Sequence, residues 1–294
     1  MNTLQKKPQL FLEEYGKVVC VGLSFIFIII TLLVLLDYSK VKKLEVSFLD
    51  VGQGDAILIT TPSGKQMLVD GGPTHTILEE VAKHTSYFDH TLDVIVATHP
   101  DSDHVTGLIP ILQKYDIKNI VTSNVEGSTG IFSDLKEKIS KEGATIHIAR
   151  KGDVIDFGDG VVAHILYPKN SIAKDTNDGS VSMVVIYGEH SFLLTGDLSA
   201  KYEPQLIGDD LQKNITVYKA AHHGSKTSSS DTLLSYIKPE YVVISAGKDN
   251  NYGHPHQETL SRLQKYTKEI ISTIDRGAIT FISDGKLLNV ITEK

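Results

Sequence analysis

Two histidines and two aspartates stand within six residues, His99, Asp101, Asp103 and His104, directly behind the apolar run Val94-Ile95-Val96-Ala97. A short apolar run rich in β-branched residues reads as a buried strand. The chain must therefore deliver four polar side chains from the end of a core element. Burying even one unpaired carboxylate costs several kcal/mol. So "ATHPDSDHVTG" is either a solvated turn whose aspartate caps the next helix, or a place where positive charge sits among the acids. The spacing admits the second alternative and, taken alone, leaves the first competitive. In an extended segment His99 and Asp101 project to one side, while Asp103 and His104 enter the following helix and face a second point. Imidazole nitrogens and carboxylate oxygens so paired suit two divalent ions, zinc or manganese. Two such ions activate water and hold the oxygens of a hydrolytic transition state.

The N-terminus adds a second constraint. Residues 18–36, "VVCVGLSFIFIIITLLVLL", run for 19 residues without a charge. As a helix this spans roughly 28 Å, the thickness of a bilayer core. A cleaved signal has a shorter apolar part and a small-x-small cleavage site; here "LDYSKVKK" follows, so an uncleaved anchor is expected. The reading divides the chain into a tail (1–17), an anchor (18–36), a linker (37–43) and one large domain (44–294). Lys6, Lys7 and Lys17 precede the span and Lys40, Lys42 and Lys43 follow it, so the lysine rule gives no orientation. Cys20 is the only cysteine, which rules out an intrachain disulfide, a thiolate zinc site and a cysteine nucleophile in the domain. A formal net charge of −7 is not the footprint of a protein that grips DNA by a basic surface, although a nuclease whose metal supplies the local charge remains compatible.

From Leu44 onward, strand-like and helix-like segments alternate. "LEVSFLDV", "AILITT", "KQMLVDGG" and "LDVIVATH" read as strands; "HTILEEVAKHT", "HVTGLIPILQKY" and "FSDLKEKISKEG" read as helices. A second strand-rich block, "GVVAHILYP", "VSMVVIYG", "HSFLLTGD" and "NITVYKAAHHG", precedes another alternation of strands and helices. Two halves of this kind predict an α/β fold of two facing sheets with helices outside, a four-layer αββα sandwich. Its functional loops are expected along one edge, at strand ends.

"THPDSDHVTG" resembles the H-x-H-x-D-H signature of the metallo-β-lactamase superfamily, with Asp101 in place of the second histidine. More narrowly, "SFLDVGQGDAILI", "MLVDGG", "ATHPDSDHVTGL", "NDGSVSMVV", "FLLTGD", "KAAHHGS" and "YGHPH" come in the order found in the extracellular metallo-β-lactamase-like domain of the ComEC competence proteins. The resemblance runs from about Leu44 to the C-terminus. It does not extend to a multi-helix channel, so it carries no DNA-transport function.

The resemblance implies a site. His99 and Asp101 would hold a first ion, Asp103 and His104 a second, and Asp197 would bridge them. His223 would complete the second ion and His222 would meet the substrate. The superfamily's further histidine for the first ion has no counterpart in "TNDGSVS", where Asn177 would stand instead, so the first ion is expected to bind more weakly. Asp70 would support a ligating histidine. Asp50, Gln53 and Asp55 would stand beside the site as supports; read alone, they are hairpin-turn residues. "GQG" is no dinucleotide loop, since neither a helix nor a further glycine follows at the required spacing. Ser225 would lie near the cleft. Asp103 and Asp197 would orient the attacking water, and His254 or a water would protonate the leaving oxygen. His75, His84, His90, His147, His164 and His190 have no partners at ligand spacing and read as ordinary, and His254 and His256, read alone, are helix-entry residues.

The expected function is a membrane-anchored, metal-dependent phosphodiesterase or nuclease acting on DNA outside a bacterial cell. The alternatives are hydrolysis of another ester, such as a phosphorylcholine ester, and a non-catalytic accessory of DNA uptake.

Overall fold

The computed structural model describes residues 6–38, 43–86, 88–169 and 175–294. Residues 1–5 of the expected tail and 39–42 of the expected linker, with Lys40 and Lys42, lie outside the described residues. The chain forms two units, residues 1–42 and 43–294.

The first unit is one helix, α1 (Lys6–Tyr38), of 33 residues. Its apolar window Tyr15–Leu32 has a mean hydropathy of 2.2 and is not buried. The helix outruns the expected 18–36 span at both ends; Pro8 falls in its first turn, where the missing N–H would have had no intrahelical partner. Its hydroxyls turn inward: Ser24 Oγ donates to the Cys20 carbonyl (2.9 Å) and Thr31 Oγ1 to that of Phe27 (2.8 Å). Neither hydroxyl needs water, which is the requirement inside a bilayer.

The second unit is the expected sandwich. It begins with β1 (Leu44–Phe48), β2 (Ile57–Thr60), β3 (Gln66–Val69), α2 (Ile77–His84) and β4 (Thr91–Ala97). Then come α3 (Ser102–Val105), α4 (Leu108–Lys114), β5 (Asp116–Thr122), α5 (Gly130–Glu142) and β6 (Thr145–Ile148). The next block holds β7 (Val154–Asp156), β8 (Val161–Tyr167), β9 (Ser182–Tyr187), β10 (His190–Leu194) and β11 (Val217–Lys219). It continues through α6 (Asp231–Ile237), β12 (Tyr241–Ile244), α7 (Gln257–Leu263), β13 (Glu269–Ser272) and α8 (Thr273–Arg276). β14 (Ile279–Ser283) and β15 (Leu288–Thr292) end it. One sheet has eight strands, in the order β15-β14-β1-β2-β3-β4-β5-β6; the other has seven, β13-β12-β11-β10-β9-β8-β7.

Alternation along the strands builds the layers. Ile57, Ile59, Met67, Val69, Val94 and Val96 face a central core shared with Phe192, Leu194 and Val243 of the second sheet. Their neighbours Leu58, Leu68 and Ile95 face an outer core with α2, α4 and α5. Leu193, Val242 and Ile244 face a third core with α6 and α7. Phe281 joins the sheets, meeting Phe48, Phe192 and Tyr241 edge-on at centroid distances of 5.9, 6.0 and 5.5 Å. Each such pair is worth about 0.5–1.5 kcal/mol beyond its burial.

Two features depart from the sequence reading. The three-residue strand β7 lies in the turn-rich "DVIDFGDG". The last two strands return to the first sheet, where β14 pairs antiparallel with β1.

Candidate metal centre

The parallel strands β4, β10 and β11 end at one edge of the sandwich and carry the site there. Thr98, just past β4, donates both its N–H and its hydroxyl to Asp70, at 2.8 and 2.7 Å. With that proton committed, Thr98 Oγ1 accepts from Nδ1–H of His99, 3.0 Å away. Nε2 of His99 is left with a free lone pair. Asp70 also takes Nδ1 of His104 at 2.7 Å, so one carboxylate sets both rings. Asp70 adopts a left-handed conformation (φ 58°) that turns it under the loop. The flanking glycines close the arrangement: Gly71 N–H donates to the His104 carbonyl and Gly107 N–H to that of Gly72, at 2.7 and 2.9 Å. A Cβ on Gly107 would land on the Gly71 carbonyl.

Asp101 stands at the N-cap position of α3, yet its side chain makes no capping bond. Its carbonyl, not its carboxylate, receives the N–H groups of His104 and Val105. The carboxylate lies 3.7 Å from His99 Nε2 and meets the Thr176 side chain. Capping therefore does not explain the acid.

Asp197 follows β10 and occupies the middle. Its Oδ1 lies 3.3 Å from His104 Nε2; its Oδ2 lies 3.9 Å from His99 Nε2 and 3.6 Å from Nε2 of both His222 and His223. His223 Nε2 also lies 3.3 Å from Asp103 Oδ2. Among the described residues four groups have donor atoms within 4.8 Å of one another; His99–His104–Asp197 and Asp103–His104–His223 are two of them, and the other two, Asp55–Asp197–His223 and Asp55–Asp70–His104, include the supporting Asp55. Asp197 touches both. His222 and His223 hold left-handed φ angles of 51° and 54°. Such conformations cost of order 1–3 kcal/mol each and persist where the surroundings enforce them. Gly224 follows at φ 82°, where a Cβ would come 2.7 Å from Pro255. His223 is buried, whereas the His222 side chain is 26% exposed.

The atoms facing inward are orphans. Nε2 of His99, His104 and His223 and Oδ1 of Asp197 are buried without a hydrogen-bond partner. Buried polar atoms are normally satisfied; four converging acceptors fit a divalent cation. The charges agree. Burial alone depresses a histidine, and it takes His99, beside His104, down to about 4. For His223 the carboxylates of Asp197 and Asp55 outweigh burial and lift it to about 9. His104 rises well above its usual range for the same reason, through Asp197 and Asp70. Burial would raise Asp197, but His223 and His104 hold it well below the carboxylate range. Without a metal, protons on two histidines stand where a metal's charge would be.

A fully buried ion pair backs His223. Lys219, at the end of β11, donates to Asp55 Oδ2 at 2.8 Å and to the Ala220 carbonyl at 2.9 Å. Asp55 Oδ1 is 3.2 Å from His223 Nδ1, whose hydrogen bond goes to the Ser245 carbonyl at 3.0 Å. The mouth of the site is a cavity of about 90 Å³ walled by Gln53, Asp101, Asp103, Asp197, His222, His223, Tyr252 and His254. Tyr252 is exposed and stacks on His254 at 5.6 Å. Burial and then the neighbouring His222 and His223 push His254 down to about 4. It is uncharged at neutral pH, so it is no standing imidazolium acid.

Other expected residues lie elsewhere. Asp50 pairs with Lys294 at 3.3 Å on the surface, because the chain turns after β1 and points Asp55, not Asp50, inward. Ser225 is buried and bonds Thr227 (3.0 Å) within its own loop. Asn177 has a buried, unpartnered Oδ1 in the turn beside Thr176. Thr98, Lys219, Ser245 and Tyr252 were not anticipated. Of these only Lys219 left a signal, a lone lysine in an otherwise apolar strand. A larger crevice, about 670 Å³ between β6 and β7, has none of the residues gathered at Asp197.

Residues 49–248 match the profile of the metallo-beta-lactamase superfamily. The chain belongs to that superfamily. ComE operon protein 3 of Bacillus subtilis (strain 168) is 28% identical over 254 residues, 81% of this chain and 33% of that protein. Recombination protein 2 of Haemophilus influenzae is 30% identical over 281 residues, 94% of this chain and 33% of that protein. The chain thus spans about a third of the length of these relatives. The metallo-beta-lactamase fold protein YhfI of Bacillus subtilis superposes with a TM-score of 0.55 at 12% identity, covering 82% of this chain and all of that one; it shares the fold. Superfamily members are generally metal-dependent hydrolases, and the His/Asp clusters here are compatible with divalent metals.

Proposed function

We propose that the chain is a membrane-anchored, divalent-metal-dependent phosphodiesterase acting on DNA outside a bacterial cell. The observation that carries the reading is the convergence of unpartnered buried donors on Asp197. His99, Asp101 and Asp197 would hold one ion; Asp103, His104, His223 and Asp197 would hold the other. When bound, the ions supply Lewis acidity toward a phosphoryl oxygen and lower the pKa of water. Asp103 and Asp197 orient the attacking water. Thr98, Asp70 and the Ser245 carbonyl engage Nδ1 of His99, His104 and His223, so that Nε2 of these three would present its lone pair to a bound ion. His222 and Tyr252 meet the substrate at the mouth. His254 is neutral, so the leaving oxygen takes its proton from solvent. The DNA assignment is supported by the relatives' names, Recombination protein 2 and, at 31% identity, Competence protein ComA of Neisseria gonorrhoeae. The anchor reading is supported by the 18-residue apolar window in α1.

The test uses the full chain in detergent, stripped of metal. Adding Mn²⁺ or Zn²⁺ is expected to restore cleavage of supercoiled DNA, and Asp197→Ala to abolish it. Metal-restored cleavage in Asp197→Ala, or none in the wild type, would overturn the proposal.

A further inference from the structure

The cavity wall carries a side-chain amide, that of Gln53, which neither metal binding nor the ring supports use. Gln53 sits in the β1–β2 connection, between Gly52 and Gly54. Its Oε1 accepts the backbone N–H of Gly247 at 3.1 Å. A backbone N–H can only donate, so the oxygen must be the atom that faces it. The amide is thereby oriented, and its Nε2 points the other way. That nitrogen is buried and has no partner, and the residue lines the cavity together with Asp103, Asp197, His222 and His254.

The backbone holds the group firmly. A Cβ on Gly54 would land on the Asp103 carbonyl, and one on Gly247 would come 2.8 Å from the Gln53 backbone nitrogen. Both glycines let the Gln53 loop pack directly against the Asp103 loop and the segment after β12. An amide donor clamped in this way needs no reorganisation to meet an incoming acceptor, the condition under which such donors contribute most. The acids and imidazoles of the walls carry acceptors, yet none of them lies within hydrogen-bonding reach of this nitrogen.

We infer that Gln53 Nε2–H is the donor to a non-bridging oxygen of a tetrahedral phosphoester at this site, a substrate contact rather than a support of the turn. The inference rests on the phosphodiesterase reading for its substrate class.

Two variants of the metal-loaded full chain separate the roles. Gln53→Glu keeps the acceptor for Gly247 and removes the donor; Gln53→Met removes both. The readouts are calorimetric binding of inorganic phosphate, metal content, and kcat/KM on bis(p-nitrophenyl) phosphate. Both variants are expected to keep their metal, to bind phosphate at least tenfold more weakly, and to lose about 10²–10³ in kcat/KM, the effect of deleting one oxyanion donor. Loss in Gln53→Glu alone would assign the effect to its new charge. Loss in Gln53→Met alone would assign it to the Gly247 contact. Either pattern, no loss in both, or no phosphate binding by the wild type overturns the inference. If the wild type binds phosphate through Gln53 but cleaves no diester, the subsite stands and the phosphodiesterase reading falls.

Discussion

His223 shows how little latitude a single residue has here. Its ring is set by the Ser245 carbonyl on one nitrogen and aimed at Asp103 and Asp197 with the other. In the metal-free chain it titrates near 9 against an ordinary 6.5. A histidine raised in this way stabilises the fold fully below the unfolded value, and that stability is lost as pH rises through the folded one. The metal-free chain is therefore expected to lose thermal stability as pH rises from about 6.5 through about 9, and metal binding at neutral pH to release protons. Melting curves across that range, and titrations in buffers of different ionisation enthalpy, check both. A flat profile would mean that His223 carries no proton. Behind it, Lys219→Met would strand the Asp55 carboxylate. Removing one partner of a buried pair costs about 3–5 kcal/mol, read as a lower urea midpoint, and Asp55→Asn in the same chain is expected to recover part of it.

The elements explain why so much of this was legible in the sequence and why some was not. Apolar alternation announced nearly every strand, and His99, Asp101, Asp103 and His104 lie within six residues, so one loop pointed to half of the proposed centre. Asp197, His222 and His223 became visible only through the ordered motifs, because their approach depends on β10 and β11 ending opposite β4. Thr98, Ser245 and the orientation of Gln53 are matters of hydrogen-bond partnering across loops, which no spacing encodes. Asp50 was misplaced because Asp50 and Asp55 share one turn and only the backbone path decides which acid faces inward. The return of β14 to β1 is likewise non-local. The loop packing can be probed at Gly54. Gly54→Ala would push against the Asp103 carbonyl, and apparent metal affinity is expected to fall at least tenfold, within the range of supporting-residue losses, as read by competition with a chelator. Unchanged affinity would show that the loops are not packed as described.

At the scale of the whole molecule, the sandwich supplies a rigid edge and the metal is expected to complete it. A ligand that binds only the folded state stabilises it by mass action, about 2.7 kcal/mol at a hundredfold excess over Kd. Saturating Mn²⁺ or Zn²⁺ is therefore expected to raise the melting temperature of the wild type and to leave that of Asp197→Ala nearly unmoved. The outward orientation proposed for the domain predicts that protease added to intact cells degrades it. The two-ion centre around Asp197 is the claim on which the rest depends. Diffraction from crystals of the Mn²⁺-loaded protein, collected on both sides of the manganese absorption edge, tests it most directly. The account predicts two anomalous peaks about 4 Å apart, both in contact with Asp197. Peaks absent from that carboxylate, or a single peak away from His104 and His223, would contradict it.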